Sequence, residues 1–216
     1  MASQDELQSN VEAMSGSTWF IETRRLLLRS FNPSDPRELH AYEQIYRDPS
    51  NNIFSATDTP WLRGEALLED IIRMWQQGQI KLMIILRTNN PTPGMAVEGG
   101  ELIGDIELNY PRDGISAVAG CIHWTHTGNR QGYGREAFHA VFDHAFRSIY
   151  RTELCLETKV ANAPFRAMME RLGLAPLETR GRHWMNNEHL EESVTYTFNR
   201  ATWEAAKLAK GLPSSP

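Results

Sequence analysis

Apolar positions recur along this chain at two periods, and the change between them marks the elements. Residues 25–31 are a short, mostly apolar run closed by Asn32 and Pro33, which predicts a strand. Asp35 and Pro36 then suit a helix start, and Leu39, Tyr42 and Tyr46 give that helix one apolar face. A second helix is predicted over 63–77, where Leu67, Leu68, Ile71, Ile72 and Trp75 recur at helical spacing before Gly78 stops it. Residues 80–86 are almost all apolar and read as a buried strand. The Pro- and Gly-rich stretch 89–100 is a hairpin connection, followed by strands over 101–109 and 118–125. Three strands joined this closely run antiparallel, because a parallel pair needs a crossover of about a dozen residues.

The period then changes. Phe138, Val141, Phe142, Ala145, Phe146 and Ile149 define a one-faced amphipathic helix. The strand that follows, 152–158, is expected to lie parallel to 118–125 because a full helix separates them. A helix over 162–172 buries Phe165, Met168, Met169 and Leu172 and ends at Gly173; at that spacing the two methionines read as core packing. The chain closes with a strand near 177–180, a polar connection through Glu188, Glu191 and Glu192, and an alternating strand over 194–198. There is no internal repeat. The expected organisation is a disordered tail over 1–18, one domain over 19–205 and a second tail over 206–216.

At 216 residues, 41% hydrophobic and 23% charged, the composition is that of an ordinary globular domain large enough to hold together without disulfides or metal. Cys121 and Cys155 each fall in a strand-like run and form no spaced ligand set, so they read as core thiols and no metal is expected. No segment has the length and apolarity of a membrane span, and residues 1–14 lack the apolar stretch of a signal peptide, so a cytoplasmic protein is expected. A net charge of −5 argues against a nucleic-acid grip, which wants a basic face.

Candidate chemistry concentrates in Asn129-Arg130-Gln131-Gly132-Tyr133-Gly134-Arg135-Glu136-Ala137, a loop opening into a helix. Helix starts present unpaired N–H groups and the positive end of the macrodipole, and glycines let a phosphate approach. The string also satisfies the loose dinucleotide pattern Gly-x-Gly-x-x-Ala, with Glu157 about twenty residues on. That fold, however, puts its first glycine directly after a strand and continues with further strand–helix–strand units. Here several residues separate Trp124 from Gly132, three antiparallel strands come first, and one helix and a hairpin follow.

The same residues resemble the GNAT superfamily of acetyl-CoA-dependent N-acetyltransferases, in its ribosomal-protein N-acetyltransferase-like branch. Asn129 to Gly134 is similar to the family loop Gln/Arg-x-x-Gly-x-Gly/Ala, and Glu136-Ala137 to the Glu-Ala that follows it in this branch. Glu22-Thr23-Arg24-Arg25-Leu26-Leu27-Leu28-Arg29 resembles the opening string, and Leu102-Ile103-Gly104 the strand phrase. Asn162-Ala163-Pro164-Phe165 and Glu170-Arg171-Leu172-Gly173-Leu174 resemble the second signature, and Tyr196 to Trp203 the close. Asn129 stands where the family has Gln or Arg, Arg130 where many members have glycine, and Phe165 where a serine is usual.

The resemblance implies a mixed α/β (α+β) fold of three layers: a mostly antiparallel central sheet of about seven strands, splayed between its fourth and fifth, with helices on both faces. It implies direct attack of an amine on the thioester of acetyl-CoA, the pantetheine arm filling the splay and a strand N–H near His123 or Trp124 donating to the acetyl oxygen. The cofactor residues it implies are Trp124, Thr125, Asn129, Arg130, Gln131, Gly132, Tyr133, Gly134, Arg135, Asn162 and Phe165. The acceptor cleft would lie between Asn51, Asn52, Phe54 and Trp61 on one side and His183, Trp184, Glu188, Glu191 and Glu192 on the other.

An acceptor amine must lose a proton, and candidate bases are Glu107, His123 and His126. Alternation places Ile103, Asp105, Glu107 and Asn109 on one strand face, a polar row needing water or a cleft. Either a protein N-terminus or a small amine fits as acceptor, in a monomer or homodimer that touches neither nucleic acid nor membrane. Two other functions compete: a non-catalytic acyl-CoA sensor that keeps the loop, and a nicotinamide-dependent oxidoreductase.

Overall fold

Among the described residues nine strands form one sheet, in the order β1-β2-β3-β5-β6-β7-β9-β8 with β4 paired to β5 off that path. The computed structural model describes residues 20–51, 53–54, 63–109, 114–127, 130–185 and 189–213. Strands β1 (Phe20–Glu22), β2 (Leu26–Ser30), β3 (Ile80–Leu86), β4 (Ala96–Val97), β5 (Gly100–Leu108) and β6 (Ile115–Ile122) pair antiparallel throughout. β7 (Glu153–Lys159) runs parallel to β6, and β9 (His189–Asn199) lies antiparallel between β7 and β8 (Glu178–Met185). One parallel pair in an otherwise antiparallel sheet is not the doubly wound sheet of a dinucleotide fold.

Helices cover both faces. On one, α1 (Pro36–Arg47) and α2 (Gly64–Gln76) pack on Met83, Ile85 and Leu102. On the other, α4 (Tyr133–Arg147), α5 (Ala163–Arg171) and the closing α6 (Arg200–Lys210) cover Leu82, Ile84, Ile106, Leu108, Val118, Leu154 and Leu156. A short helix, α3 (Trp124–Thr127), joins β6 to the loop before α4. Asp35 caps α1 by accepting from the Arg37 amide, with Pro36 in the first turn, as the sequence pattern predicts.

Several expectations are corrected. The strand expected over 118–125 is Ile115–Ile122, because the chain leaves the sheet at His123 and turns into α3. The polar row on β5 is broken: the β3–β5 register shifts between Ile84 and Ile85, and this bulge turns Ile103 to the α4 side while Asp105 and Glu107 face α1. The polar connection expected around Glu191 and Glu192 is strand, because β8 and β9 extend together as a hairpin. The α1 face turned to the sheet is Glu38, Ala41, Tyr42 and Ile45, with Leu39 and Tyr46 at its edges. Glu38 is fully buried and paired with Arg29 at 2.5 Å. Cys121 and Cys155 are free thiols only partly buried. α6 runs through residue 206 to Lys210, with Trp203 and Lys207 buried, so a tail cannot begin before Gly211. Residues 1–19 lie outside the described residues.

Candidate active site

Two strands separate at the centre of the sheet. β6 and β7 pair only at Ile115–Glu153, Ser116–Leu154 and Ala117–Cys155, after which they diverge. The antiparallel register fixes which amides face the opening. Asn109 donates to Ala117 O and His123 to Ile103 O, so Ala117, Ala119, Cys121 and His123 turn their backbone groups toward β5. Those of Val118, Gly120 and Ile122 therefore face the gap. The resemblance places the oxyanion donor near His123 or Trp124; the His123 amide is committed to β5 at Ile103 O, and its neighbour Ile122 presents a gap-facing N–H.

At the open end lies the glycine loop. Gly132 is the N-cap of α4 in the left-handed region, φ 78°, with no side-chain cap, and Arg130 is also left-handed at φ 48°. The Glu136 amide bonds Gly132 O, so the first-turn amides of Tyr133, Gly134 and Arg135 have no intrahelical partner. The turn packs on β6 and α5 at Gly134, where an added Cβ would meet the Met168 sulfur at 3.4 Å and Ile122 Cγ1 at 3.7 Å, ordinary contact distances. Arg130, Gln131 and Arg135 are exposed. A loop of this shape fits a diphosphate: bare amides, no carboxylate pointing outward, and two exposed guanidinium groups.

The loop is held in place by Glu136, Thr23 and Arg25, which the sequence offers only as parts of separate strings and with no role. Glu136, facing inward, accepts from the Thr23 hydroxyl at 2.6 Å, the Arg25 amide at 2.9 Å and Arg25 Nε at 2.7 Å. Arg25 also donates to Gln131 O at 2.8 Å and lies 4.6 Å over the Tyr133 ring. Burial pushes the Glu136 carboxyl up, but the bonds from Thr23 and Arg25 outweigh it and hold the group below the usual carboxylate range. The clamp therefore contributes fully above the ordinary carboxylate pKa and is lost as pH falls through the lowered value. Glu136→Gln keeps an acceptor but removes the charge, and is expected to weaken CoA binding about fivefold at neutral pH, the worth of a part-exposed ion pair near 1 kcal/mol. Calorimetric titration checks it; unchanged affinity removes the clamp from the binding site.

On the α1 side of the sheet, Lys81 is the single charged residue of β3 and is buried. Its ammonium bonds Tyr42 Oη at 2.8 Å, lies 3.4 Å from Asp105 Oδ2 and pairs closely with Glu107. Burial alone would lower the lysine, but Tyr42, Asp105 and Glu107 together raise it well above its ordinary value. Burial, opposed by Lys81, raises Asp105, and it pushes up the Cys121 thiol, which donates to Asp105 at 3.4 Å. Glu107 is thus not on a solvated face: it belongs to a charged cluster beneath α1. An isolated lysine opposite two acids across a hairpin is the signal that would have found it.

His123 continues the Ala117–Ala119–Cys121 row on this same face. Its Nδ1 lies 2.6 Å from Thr125 Oγ1, and its Nε2 lies 3.6 Å from Asp48 Oδ2 at the end of α1. His126 Nε2 lies 3.0 Å from Oε1 of the buried Glu101, and its ring meets Tyr133 edge-on at 6.1 Å. Phe165 stands among aromatic rings, 6.0 Å from Phe138 and 6.2 Å from Tyr196. Asn162 caps α5 by accepting from the Phe165 amide at 3.2 Å and donates to Thr158. Asn51 donates to Ile45 O, and Phe54 is partly buried. Asn52, Trp61, Asn129 and Glu188 lie outside the described residues, as do the side chains of Trp124, His183, Trp184 and Glu191. Among the described residues no group of three or more His, Cys, Asp or Glu is placed to hold a metal ion.

A sheet opened between two strands, with a glycine-capped helix start at its mouth, defines the class. The acetyltransferase (GNAT) domain family matches residues 25–175, and the chain belongs to that family, whose acyl donor is acetyl-CoA. It is by class an N-acetyltransferase. Solved structures share the fold at low identity. Mycobacterium smegmatis RimJ in complex with CoA-disulfide superposes with TM-score 0.66 at 12% identity, covering 90% of this chain and 94% of that one. The ribosomal-protein-S5-alanine acetyltransferase of Vibrio fischeri gives 0.66 at 12%, covering 86% and 98%. A GCN5-related N-acetyltransferase from Brucella melitensis gives 0.64 at 16%, covering 94% and 88%. No curated protein matches the chain significantly. Among the described residues no helix is long and apolar enough to cross a membrane.

Proposed function

We propose that this chain binds acetyl-CoA and transfers its acetyl group to a primary amine, a protein N-terminus or a small-molecule amine, by direct attack with both substrates bound. The observation that carries this reading is the β6–β7 pairing, limited to Ile115–Ala117 before the strands part beside the uncapped start of α4. The first-turn amides of α4, with Arg130 and Arg135, suit the diphosphate of the donor. The gap-facing groups of Val118, Gly120 and Ile122 suit its extended arm, as a strand edge takes an extended ligand. Acetyl-CoA brings an acetyl group activated as a thioester; the protein supplies proximity, an oxyanion donor and a proton acceptor.

Glu107 and His123, both on the α1 side of the sheet, are the two groups for proton removal. Phe165, in its aromatic setting, offers no hydroxyl, so the thiolate leaves without help from that position. Phe54, with Trp61, His183 and Trp184, borders the acceptor side in this reading. The likeness to a ribosomal-protein-S5-alanine acetyltransferase supports a protein N-terminus as acceptor. Incubation with acetyl-CoA and a mixed panel of peptides and small amines tests the proposal by mass spectrometry. The expected product carries one acetyl group on nitrogen. Binding of acetyl-CoA with no acetylated product from any amine overturns it.

A further inference from the structure

We propose that Thr125, His123 and Asp48 form a proton relay for the transfer, in which the Thr125 hydroxyl takes a proton from the attacking amine while passing its own to His123 Nδ1, and Asp48 positions the imidazole. The relay rests on the N-acetyltransferase reading above and assigns the proton to a group other than the strand carboxylate Glu107.

Thr125 meets one ring nitrogen twice. Thr125 Oγ1 lies 2.6 Å from His123 Nδ1, and the Thr125 amide also points to Nδ1 at 3.4 Å. A nitrogen that receives an N–H is the unprotonated one, so the ring proton sits on Nε2, facing Asp48 Oδ2 at 3.6 Å. Asp48 is itself held, its Oδ1 accepting from the Ser50 amide at 2.8 Å at the C-cap of α1. Thr125 is exposed, whereas the His123 side chain is only 15% exposed, so the hydroxyl is the accessible end of the chain. The gap-facing amide of Ile122 immediately precedes His123, which brings the oxyanion donor and the relay to the same point on β6.

Burial lowers the His123 pKa, opposed by Asp48 from the end of α1 and by Glu101 from β5, and helped by His126 from α3. The imidazole is therefore neutral and able to accept a proton at neutral pH. Glu107 is placed differently. Its carboxylate is engaged by the buried Lys81, and taking up a proton there means giving up that ion pair. In the transfer itself the amine nitrogen forms a bond to the acetyl carbon and the carbon–sulfur bond breaks. Its electron pair leaves on the CoA thiolate, and the amine proton ends on His123, to be released to solvent.

The test has two arms. In the first, kcat/KM for the amine, expressed on the concentration of its neutral form so that the amine's own titration drops out, is measured against pH. Wild type should lose activity toward acid, and His123→Gln should lower the plateau about a hundredfold and abolish that limb. Thr125→Val should fall at least tenfold while Thr125→Ser stays near wild type. Asp48→Asn should move the limb to lower pH with KM for acetyl-CoA unchanged, because it removes the charge that opposes burial. Glu107→Gln should retain the limb. In the second arm, ¹⁵N NMR of the histidine ring reads the tautomer in the free protein, where Nε2–H is expected. An Nδ1–H tautomer, or an acid limb that survives in His123→Gln, overturns the relay alone. Absence of transfer to every amine overturns the functional reading and the relay with it.

Discussion

Asp143→Ala is expected to destabilise the protein by about 3–5 kcal/mol, the scale for stranding a buried charge. Asp143 lies in α4 and is 2% exposed; its Oδ1 accepts from Trp203 Nε1 and from Lys207 Nζ, both at 2.7 Å. Both donors are in α6, so this carboxylate fastens the closing helix to the helix that begins at the glycine loop. Truncation leaves an indole N–H without its acceptor and a lysine, 3% exposed, with Glu204 as its one remaining counter-charge among the described residues. For a chain of this length the loss corresponds to a fall in Tm of about 6–20 °C. Asp143→Ala combined with Lys207→Met should recover much of it, since removing both charges costs less than removing one. A loss below about 1 kcal/mol in the single variant shows that Asp143 does not hold α6.

Gly132→Val is expected to weaken CoA binding about 5- to 150-fold with little change in Tm. The residue sits at φ 78°, where a β-branched side chain is strained by about 1–3 kcal/mol. Crowding is not the cause, because the nearest atom to an added Cβ is Arg25 Nη2 at 3.8 Å. The strain is relieved by rotating the backbone, which re-aims the amides of Tyr133 to Arg135 that face the diphosphate. Gly132→Asn, which tolerates the left-handed region, should bind CoA markedly better than the valine variant. Equal affinity for both variants shows that the first turn of α4 does not hold the ligand.

Helix α4 and the strand pair around it were legible because their patterns are local. Phe138 through Phe146 repeat at helical spacing, and the length of a full helix between β6 and β7 dictates their parallel run. The glycine loop was legible for the same reason, since bare amides at a helix start follow from a few adjacent residues. What escaped depends on partners far apart in the chain. Glu136 could be quoted as a string, but its role needs Thr23 and Arg25, 113 and 111 residues away, brought against it. Lys81, Tyr42 and Asp48 join the site only because α1 lies across β3, β5 and β6. The row on β5 misled because strict alternation cannot foresee the bulge that turns Ile103 over. The β8–β9 hairpin misled because its strands run on together past the end of β7, and a polar sequence at such a two-stranded extension looks like a loop.

The clamp on Glu136 also bears on when the site takes shape. β2 is a near-edge strand, α4 starts after the middle of the chain, and the ends of β1 and β2 must already be docked before Arg25 can reach Gln131. Closing so long a loop is entropically late, so the anion cradle matures with the final consolidation of the native state rather than as an early local unit. Ligand added during refolding should therefore leave the initial collapse rate untouched and act by slowing unfolding, raising the apparent stability with the logarithm of its concentration once that exceeds the dissociation constant.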